Sequence, residues 1–202
     1  MYKNKIACFI LVIAAAMTLT MEEASAQQFD NNMVFNISGL YMRAKDTDMY
    51  YDFAGFSLRL GYFAMDYTEM FLETRFATGL DLADEIDYTM DWGIYAGLTQ
   101  YLPINEAFAF YARGRVGVMI NDWEMERVYY YNEGCGCWQG VDEGDTDTYF
   151  SCGVGAGASI LLGERISLEL GYDYFAHDGK SKYEDKNWIG YHTFHAGIDI
   201  KF

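Results

Sequence analysis

The sequence has little proline, little positive charge and, beyond its N-terminus, no long apolar run. One proline stands beside 20 glycines and 18 tyrosines in 202 residues, which favours a single all-β domain. Only 14 basic side chains oppose 30 acidic ones, so the net charge of −16 argues against nucleic-acid binding, which needs a basic surface. No run of about 18 apolar residues follows the N-terminal segment, which excludes a helical membrane protein. The 51% hydrophobic content excludes a disordered chain.

Residues 1–26 have the pattern of a secretory signal peptide. The segment opens with two lysines, continues with an apolar stretch and ends in Ala24-Ser25-Ala26, a small-residue cleavage site. The alternative is a buried N-terminal helix. We predict that the signal is removed and that residues 27–202 form the mature domain.

Three cysteines follow the predicted signal, namely Cys135, Cys137 and Cys152. An odd number cannot pair fully within one chain, although export permits a disulfide. The favoured interpretation is a disulfide in a loop, for example from one of the first two to Cys152. A zinc site is disfavoured because the first two cysteines lack the usual two-residue spacer and a second pair. The sequence therefore predicts no metal and no cofactor.

The mature chain consists of runs in which apolar and polar residues alternate, which is typical of β-strands. In the last run Phe194 and Ile198 fall on one face, while Thr193 and Asp199 fall on the other. None of the runs has a sustained helical period. Eight runs are predicted, over residues 33–43, 53–65, 68–80, 87–102, 107–123, 148–162, 165–176 and 187–202.

The polar face of these runs is rich in glycine and poor in lysine. A surface that faces water has no need of so many small residues, whereas the interior of a barrel of about eight strands does. This face therefore points into a narrow barrel. Its glycines are Gly61, Gly93, Gly97, Gly117, Gly153, Gly155, Gly157, Gly171 and Gly197.

Aromatic residues and loop lengths point to a membrane barrel. Aromatic side chains form two bands, as two water–lipid interfaces select. Tight turns alternate with long loops, the longest of which follows the fifth run. The prediction is an all-β, eight-stranded antiparallel transmembrane β-barrel with short periplasmic turns and long extracellular loops. The two bands are Tyr41, Trp92, Tyr174 and Trp188 at one end, and Tyr62, Phe108 and Phe202 at the other.

The chain resembles the small eight-stranded outer-membrane barrels, namely the OmpX/Ail-like group and the OmpA transmembrane domain. The specific motif is the final strand, residues 196–202, which ends in Phe202. The resemblance implies a bacterial outer-membrane location among outer-membrane lipid and lipopolysaccharide, and a C-terminal strand read by the barrel-assembly machinery. OmpA proteins continue into a peptidoglycan-binding domain, and that activity is not carried over because this chain stops at Phe202.

Nine charged residues fall on the predicted inward face. Because a buried charge is costly unless it is paired, they are expected to form a ladder of salt bridges that plugs the lumen. Arg113 is expected to pair with Glu73 or Glu169, which fall at similar heights. The alternative is an ion path through a small pore. The nine residues are Arg59, Glu73, Arg75, Asp91, Arg113, Arg115, Glu169, Asp173 and Asp199.

His192 and His195 raise the alternative of a lipid-modifying enzyme, which needs a serine positioned by a histidine and an acid. No such set accompanies them, so both are interpreted as structural, with His192 on the lipid face and His195 in the lumen. A calcium site over residues 142–147 is disfavoured because it lacks the EF-hand spacing.

The loops are acidic and aromatic, which suits contact with an extracellular protein or glycan. The predicted function is a structural or surface-interaction role, such as adhesion or envelope protection. No catalytic residue is predicted.

Overall fold

The computed structural model describes residues 33–45, 52–80, 86–125, 128–132, 134–135, 137–141, 144–178 and 189–202. These residues form ten strands and, among them, no helix that is long and apolar enough to cross a membrane. The strands are β1 (Met33–Lys45), β2 (Asp52–Met65), β3 (Thr68–Gly79), β4 (Ile86–Asn105), β5 (Phe108–Met125), β6 (Val128–Asn132), β7 (Cys137–Val141), β8 (Gly144–Leu161), β9 (Ile166–His177) and β10 (Ile189–Lys201).

Eight of the strands close into an antiparallel barrel in the order β1-β10-β9-β8-β5-β4-β3-β2. The barrel closes through β1 and β10, which pair from Val34 opposite Lys201 to Lys45 opposite Gly190. Main-chain bonds between Met33 and Phe202 extend this seam to the last residue. The predicted eight-stranded antiparallel barrel is confirmed.

The eight predicted runs correspond to these eight strands, and the main difference lies in the longest predicted loop. There β6 and β7 pair as a separate two-stranded hairpin, from Val128 opposite Val141 to Asn132 opposite Cys137. The three consecutive tyrosines of β6 hide the alternation of a strand, so period-2 analysis treats the segment as loop.

Three tight turns connect β2 to β3, β4 to β5 and β8 to β9 at the same end as Met33 and Phe202. The longer connections all lie at the opposite end. Short and long connections therefore alternate as predicted, and both ends of the barrel domain lie on the short-turn side.

Burial alternates along every barrel strand, and the outward face is the apolar one. Leu72 and Ile198 are exposed, with aromatic bands on either side that include Tyr41 and Tyr62. The inward face instead buries charges such as Arg59, whose exposed fraction is 1%. A protein dissolved in water has the reverse arrangement, so this outer surface is suited to lipid.

The inward glycines leave space for large inward side chains. A Cβ on Gly157 or Gly171 would meet the hydroxyl of Tyr111, and one on Gly153 would meet the ring of Phe175. The same holds for every glycine predicted to face inward, each of which has a side chain or the neighbouring strand against it. The lumen is therefore packed with protein atoms.

Several predictions fall outside the described residues. They concern the signal peptide over 1–26, Trp188, and the acidic residues Asp142 and Glu143 of the calcium segment.

Candidate functional site

The first group of charges in the lumen surrounds Glu169 on β9. Arg59 on β2 reaches it with Nη2 2.7 Å from Oε2, and Nη2 of Arg113 on β5 donates to both of its carboxylate oxygens at 2.8 Å. Arg59 also contacts Asp199, at 3.1 Å, and Glu69, at 3.2 Å. We call these five residues the Glu169 cluster.

Neutral side chains complete the hydrogen bonding of this cluster. Asn36 donates to Asp199 Oδ1 at 2.7 Å, and Ser167 donates to Oδ2 at 3.2 Å. Tyr101 donates to Glu69 at 2.9 Å, and Arg113 Nε donates to Thr99 at 3.1 Å. A buried ion pair needs partners for its remaining polar atoms, and these contacts supply them for Asp199, for one oxygen of Glu69 and for Arg113 Nε. Arg59 Nε and the other oxygen of Glu69 are buried without a hydrogen bond and have their ion-pair contact with each other.

The second group lies closer to the long-loop end and joins opposite walls of the barrel. Arg75 on β3 contacts Asp173 on β9 at 3.0 Å, although these strands are four apart in either direction around an eight-stranded barrel. Arg115 contacts Asp173 at 2.6 Å and Glu73 at 2.7 Å, and Arg75 also bonds to Glu73. These four residues are the Asp173 cluster. This contact spans the full diameter of the barrel, so charged side chains cross the lumen at this level.

His195 on β10 connects the two clusters. Its Nε2 lies 3.2 Å from Glu169 Oε1 and 2.8 Å from the Tyr111 hydroxyl, while its Nδ1 lies 3.1 Å from Asp173 Oδ2. The prediction that His195 lies in the lumen near the charges is confirmed. Its non-covalent contacts join the Glu169 cluster to the Asp173 cluster.

Aromatic rings enclose the charges from both ends of the barrel. Phe175 lies under two guanidinium groups, with its centroid 4.1 Å from Arg75 Cζ and 4.6 Å from Arg115 Cζ. Tyr111 lies 4.8 Å from Arg113 Cζ. These rings belong to two apolar layers above and below the clusters. Cation–π contacts and exclusion of water both strengthen the ion pairs.

All nine charges predicted to face inward are buried, but eight of them form two clusters instead of one ladder. Arg113 pairs with Glu169, as expected. Of the two candidate partners, Glu73 is the one not bonded to Arg113, because its carboxylate is bonded to Arg115 and Arg75. Asp91 joins neither cluster and accepts a hydrogen bond of 2.6 Å from Asn121. In the described part of the lumen, no cation contacts Asp91.

Sequence reasoning missed two inward charges, Glu69 and Lys201, which are 0% and 3% exposed. Both have the same parity as predicted inward residues on their strands, namely Glu73 on β3 and Asp199 on β10. The alternation could therefore have identified them. Each lies close to the short-turn end, where a charge is easily assigned to the water interface.

The expected loop disulfide is present, but it does not involve Cys152, the partner given as an example. Cys135 and Cys137 form a disulfide with each other, and Cys152 is free on β8. A pairing with Cys152 is excluded by the strand register, which sets Cys152 in the barrel wall opposite Val116 and Ala176.

His192 lies on the outward face, as predicted, and its ring bonds to the hydroxyl of Tyr172. The Tyr174 ring lies 5.4 Å from it. No serine or carboxylate contact accompanies His192 among the residues that the structure describes. The described residues also contain no group of three side chains able to hold a metal ion.

Comparison with known proteins agrees with this architecture. The family model described as "Outer membrane protein beta-barrel domain" matches residues 10–202. Neisserial surface protein A is similar in structure, with a TM-score of 0.66 and 16% identity over 90% of this chain and 100% of that one. Ail, the attachment invasion locus protein of Yersinia pestis, has a TM-score of 0.54 and 18% identity over 85% and 99%. No curated protein matches the chain.

Proposed function

The chain belongs to the outer-membrane β-barrel family, and on that premise we propose that it acts at the bacterial surface by binding, through its long-loop end, and not as a pore or an enzyme. The observation that carries the proposal is the contact of Arg75 with Asp173 across the lumen. Because this contact crosses the lumen, we assign the function to surfaces outside the barrel.

One side of the barrel continues well past the rest at the long-loop end. β8 pairs with β9 only from Ser151 onward, but its residues 144–150 remain paired with β5. At about 3.3 Å per residue, this extension reaches roughly 20 Å. The hairpin of β6 and β7 lies between β5 and β8 in the chain. We call residues 118–125, 128–132, 134–135, 137–141 and 144–150 the projection.

The projection has the composition of a binding surface for a positively charged partner. The sequence from 122 to 147 contains eight carboxylates and one basic residue, Arg127. Four of these carboxylates, Asp122, Glu124, Asp145 and Asp147, lie on described residues of the projection. In the hairpin register Tyr131 stands opposite Trp138, and tyrosine and tryptophan are the residues most enriched at binding hot spots. Carboxylates attract and orient a basic protein, and they repel sulfated or phosphorylated ligands.

The proposed ligand of this protein has the opposite charge to the ligand bound by one structural relative, Ail. Ail has been solved with the heparin analogue sucrose octasulfate, which is a polyanion. The acid-rich projection favours a ligand of the opposite sign. We infer that a basic protein surface, and not a sulfated glycan, is the ligand of this barrel.

The contacts of both histidines support a role without catalysis. His195 is 6% exposed and is held by two carboxylates and a tyrosine. His192 contacts tyrosine rings on the outer wall. Among the residues that the structure describes, neither histidine bonds to a serine, the nucleophile expected for acyl transfer.

A cell-attachment assay tests the binding role. Cells that display the full barrel are compared with cells whose barrel has a Gly-Ser linker in place of residues 126–143, at matched surface levels. Wells are coated with lysozyme as a basic protein, with heparin, or with albumin as a control. We expect selective attachment to lysozyme that weakens with salt and is lost with the linker. Equal attachment of both cell types, or preference for heparin, would refute the binding role.

Conductance in planar bilayers tests the absence of a pore. The wild-type barrel is expected to give no stable ion current. A stable wild-type current would show that the lumen conducts and that the pore is the better function.

A further inference from the structure

The disulfide between Cys135 and Cys137 is the one chemically reactive group of the projection that the binding role leaves unused. The two Cα atoms lie 5.3 Å apart, and only residue 136 separates the cysteines. Cys135 is exposed and Cys137 is half-exposed. Residues 134 and 136 are glycines, so neither neighbour of Cys135 carries a side chain that could shield its sulfur.

This disulfide contributes little to holding the fold together. The entropy that a cross-link removes from the unfolded chain grows with the length of the loop that it closes, and this loop is close to the shortest possible. The hairpin is a sheet of its own, and the barrel closes without it through β1 and β10. A role as a structural staple therefore does not explain the bond.

Exposure and separation from the barrel are instead the properties of an exchangeable bond. Exposed disulfides are generally more oxidising and more labile than buried structural ones, because an attacking thiolate can reach the sulfur. We propose that the Cys135–Cys137 disulfide is a thiol–disulfide exchange site that takes up thiols carried by cationic molecules or by basic protein surfaces.

The exchange proceeds in two steps. The thiolate of the incoming molecule attacks Sγ of Cys135 and forms a new S–S bond, while the Cys135–Cys137 bond breaks. Its electron pair leaves on Cys137 Sγ, which takes a proton from water. A second incoming thiolate then releases a disulfide of the incoming molecule and leaves Cys135 and Cys137 reduced, or Cys137 attacks back and restores the starting bond.

The second, intramolecular path makes the site reversible. Cys137 stays two residues from the mixed disulfide, so its effective concentration at Cys135 Sγ is high. A mixed disulfide on the wild-type chain is therefore short-lived. Replacing Cys137 removes the thiol that would attack the mixed disulfide, so the mixed disulfide on Cys135 persists.

The charge of the projection determines which thiols react fastest. The carboxylates on the described residues of the projection, namely Asp122, Glu124, Asp145 and Asp147, attract a cationic thiol and repel an anionic one before the sulfurs meet. Cysteamine and 2-mercaptoethanesulfonate are small thiols of similar size and opposite charge, but they differ in their fraction of thiolate, which also sets the exchange rate. Each rate is therefore divided by the rate of the same thiol with hydroxyethyl disulfide, a small neutral disulfide, and all rates compared below are these normalised rates. Raising the salt to about 0.5 M shortens the screening length to a few ångströms and should remove most of the difference.

The experiment uses the full folded barrel in detergent, with Cys152→Ser present throughout to remove the free thiol. Each thiol is added at millimolar concentration, samples are alkylated over time, and reduction of Cys135 and Cys137 is measured by mass spectrometry. Heat-dependent mobility in gels reports whether the barrel remains folded. A second sample carries Cys137→Ser and is exposed to cystamine, the disulfide of cysteamine.

We expect reduction within minutes in the folded barrel, several-fold faster with cysteamine than with 2-mercaptoethanesulfonate, with the ratio approaching unity at high salt. The Cys137→Ser chain should retain a cysteamine adduct on Cys135. A bond that resists millimolar thiol for hours while the barrel stays folded would overturn the proposal. Equal rates for the two thiols at low salt would overturn its charge selectivity. Neither outcome depends on the attachment assay, so the two proposals fail separately.

Discussion

Arg113 and Glu169 face each other across the intervening strand β8, with Arg113 Nη2 2.8 Å from both carboxylate oxygens. Arg59 binds the same carboxylate from the other side, at 2.7 Å. One buried anion thus holds two cations from different walls of the barrel. Such an arrangement stabilises the closed lumen only as a complete set, since loss of one partner leaves the other charge buried and uncompensated.

Arg113→Ala should destabilise the barrel by about 3–5 kcal/mol, because it strips one partner from a buried pair. Glu169→Gln in the same chain should recover part of that loss, with a coupling of about 0.5–3 kcal/mol in a double-mutant cycle from urea unfolding. Glu73→Gln is the matched control, since Glu73 bonds to Arg115, and it should couple less to Arg113. An unchanged urea midpoint for Arg113→Ala would contradict the paired lumen.

Gly55→Ala should destabilise the barrel by about 1–3 kcal/mol through overpacking. A Cβ at this position would collide with the backbone of Phe76 and Ala77 on β3, which cannot rotate away. Gly39→Ala is the control on the neighbouring strand, where the nearest atom is the Ala196 carbonyl oxygen at 3.9 Å. Thermal unfolding in detergent should separate the two variants, and equal losses would show that Gly55 is not needed for strand contact.

Leu170→Arg places a charge on the outward face of β9, where Leu170 is 43% exposed. In a membrane this should cost about 2–4 kcal/mol when the position is near the midplane. Glu164→Arg, in the exposed turn before β9, should cost little. Unfolding from lipid vesicles measures both, and a Leu170→Arg barrel as stable as the control would argue against lipid contact at this face.

Phe202 has two separable roles in assembly. Its main chain exchanges hydrogen bonds with Met33 at 3.0 and 3.2 Å, while its ring is exposed on the outer wall. Phe202→Ala keeps the main-chain bonds, so it should refold in detergent like the wild type but reach the cell surface at lower levels if the assembly machinery reads the ring. Deletion of Phe202 should impair both. Normal surface levels for both variants would exclude Phe202 as an assembly signal.

Much of the fold could be predicted from the sequence because a strand repeats every two residues. Alternation assigned Arg113 and Glu169 to the inward face and Leu170 to the outward face, since side chains on a strand point to opposite sides in turn. It also explains the glycines, whose missing side chains admit the rings of Tyr111 and Phe175. The same rule would have identified Glu69.

Only the closed barrel decided which inward residues touch. The alternation of apolar and polar residues predicts which face of the sheet a side chain lies on, but not which residue it contacts. Contact across the lumen depends on the stagger of the strands, the diameter of the barrel and the length of each side chain. Counting along the strands made Glu73 as good a partner for Arg113 as Glu169, yet Arg115 and Arg75 hold Glu73. In the same way, the pairing of Cys135 with Cys137 follows from the hairpin, which brings these two sulfurs together while the barrel wall holds Cys152.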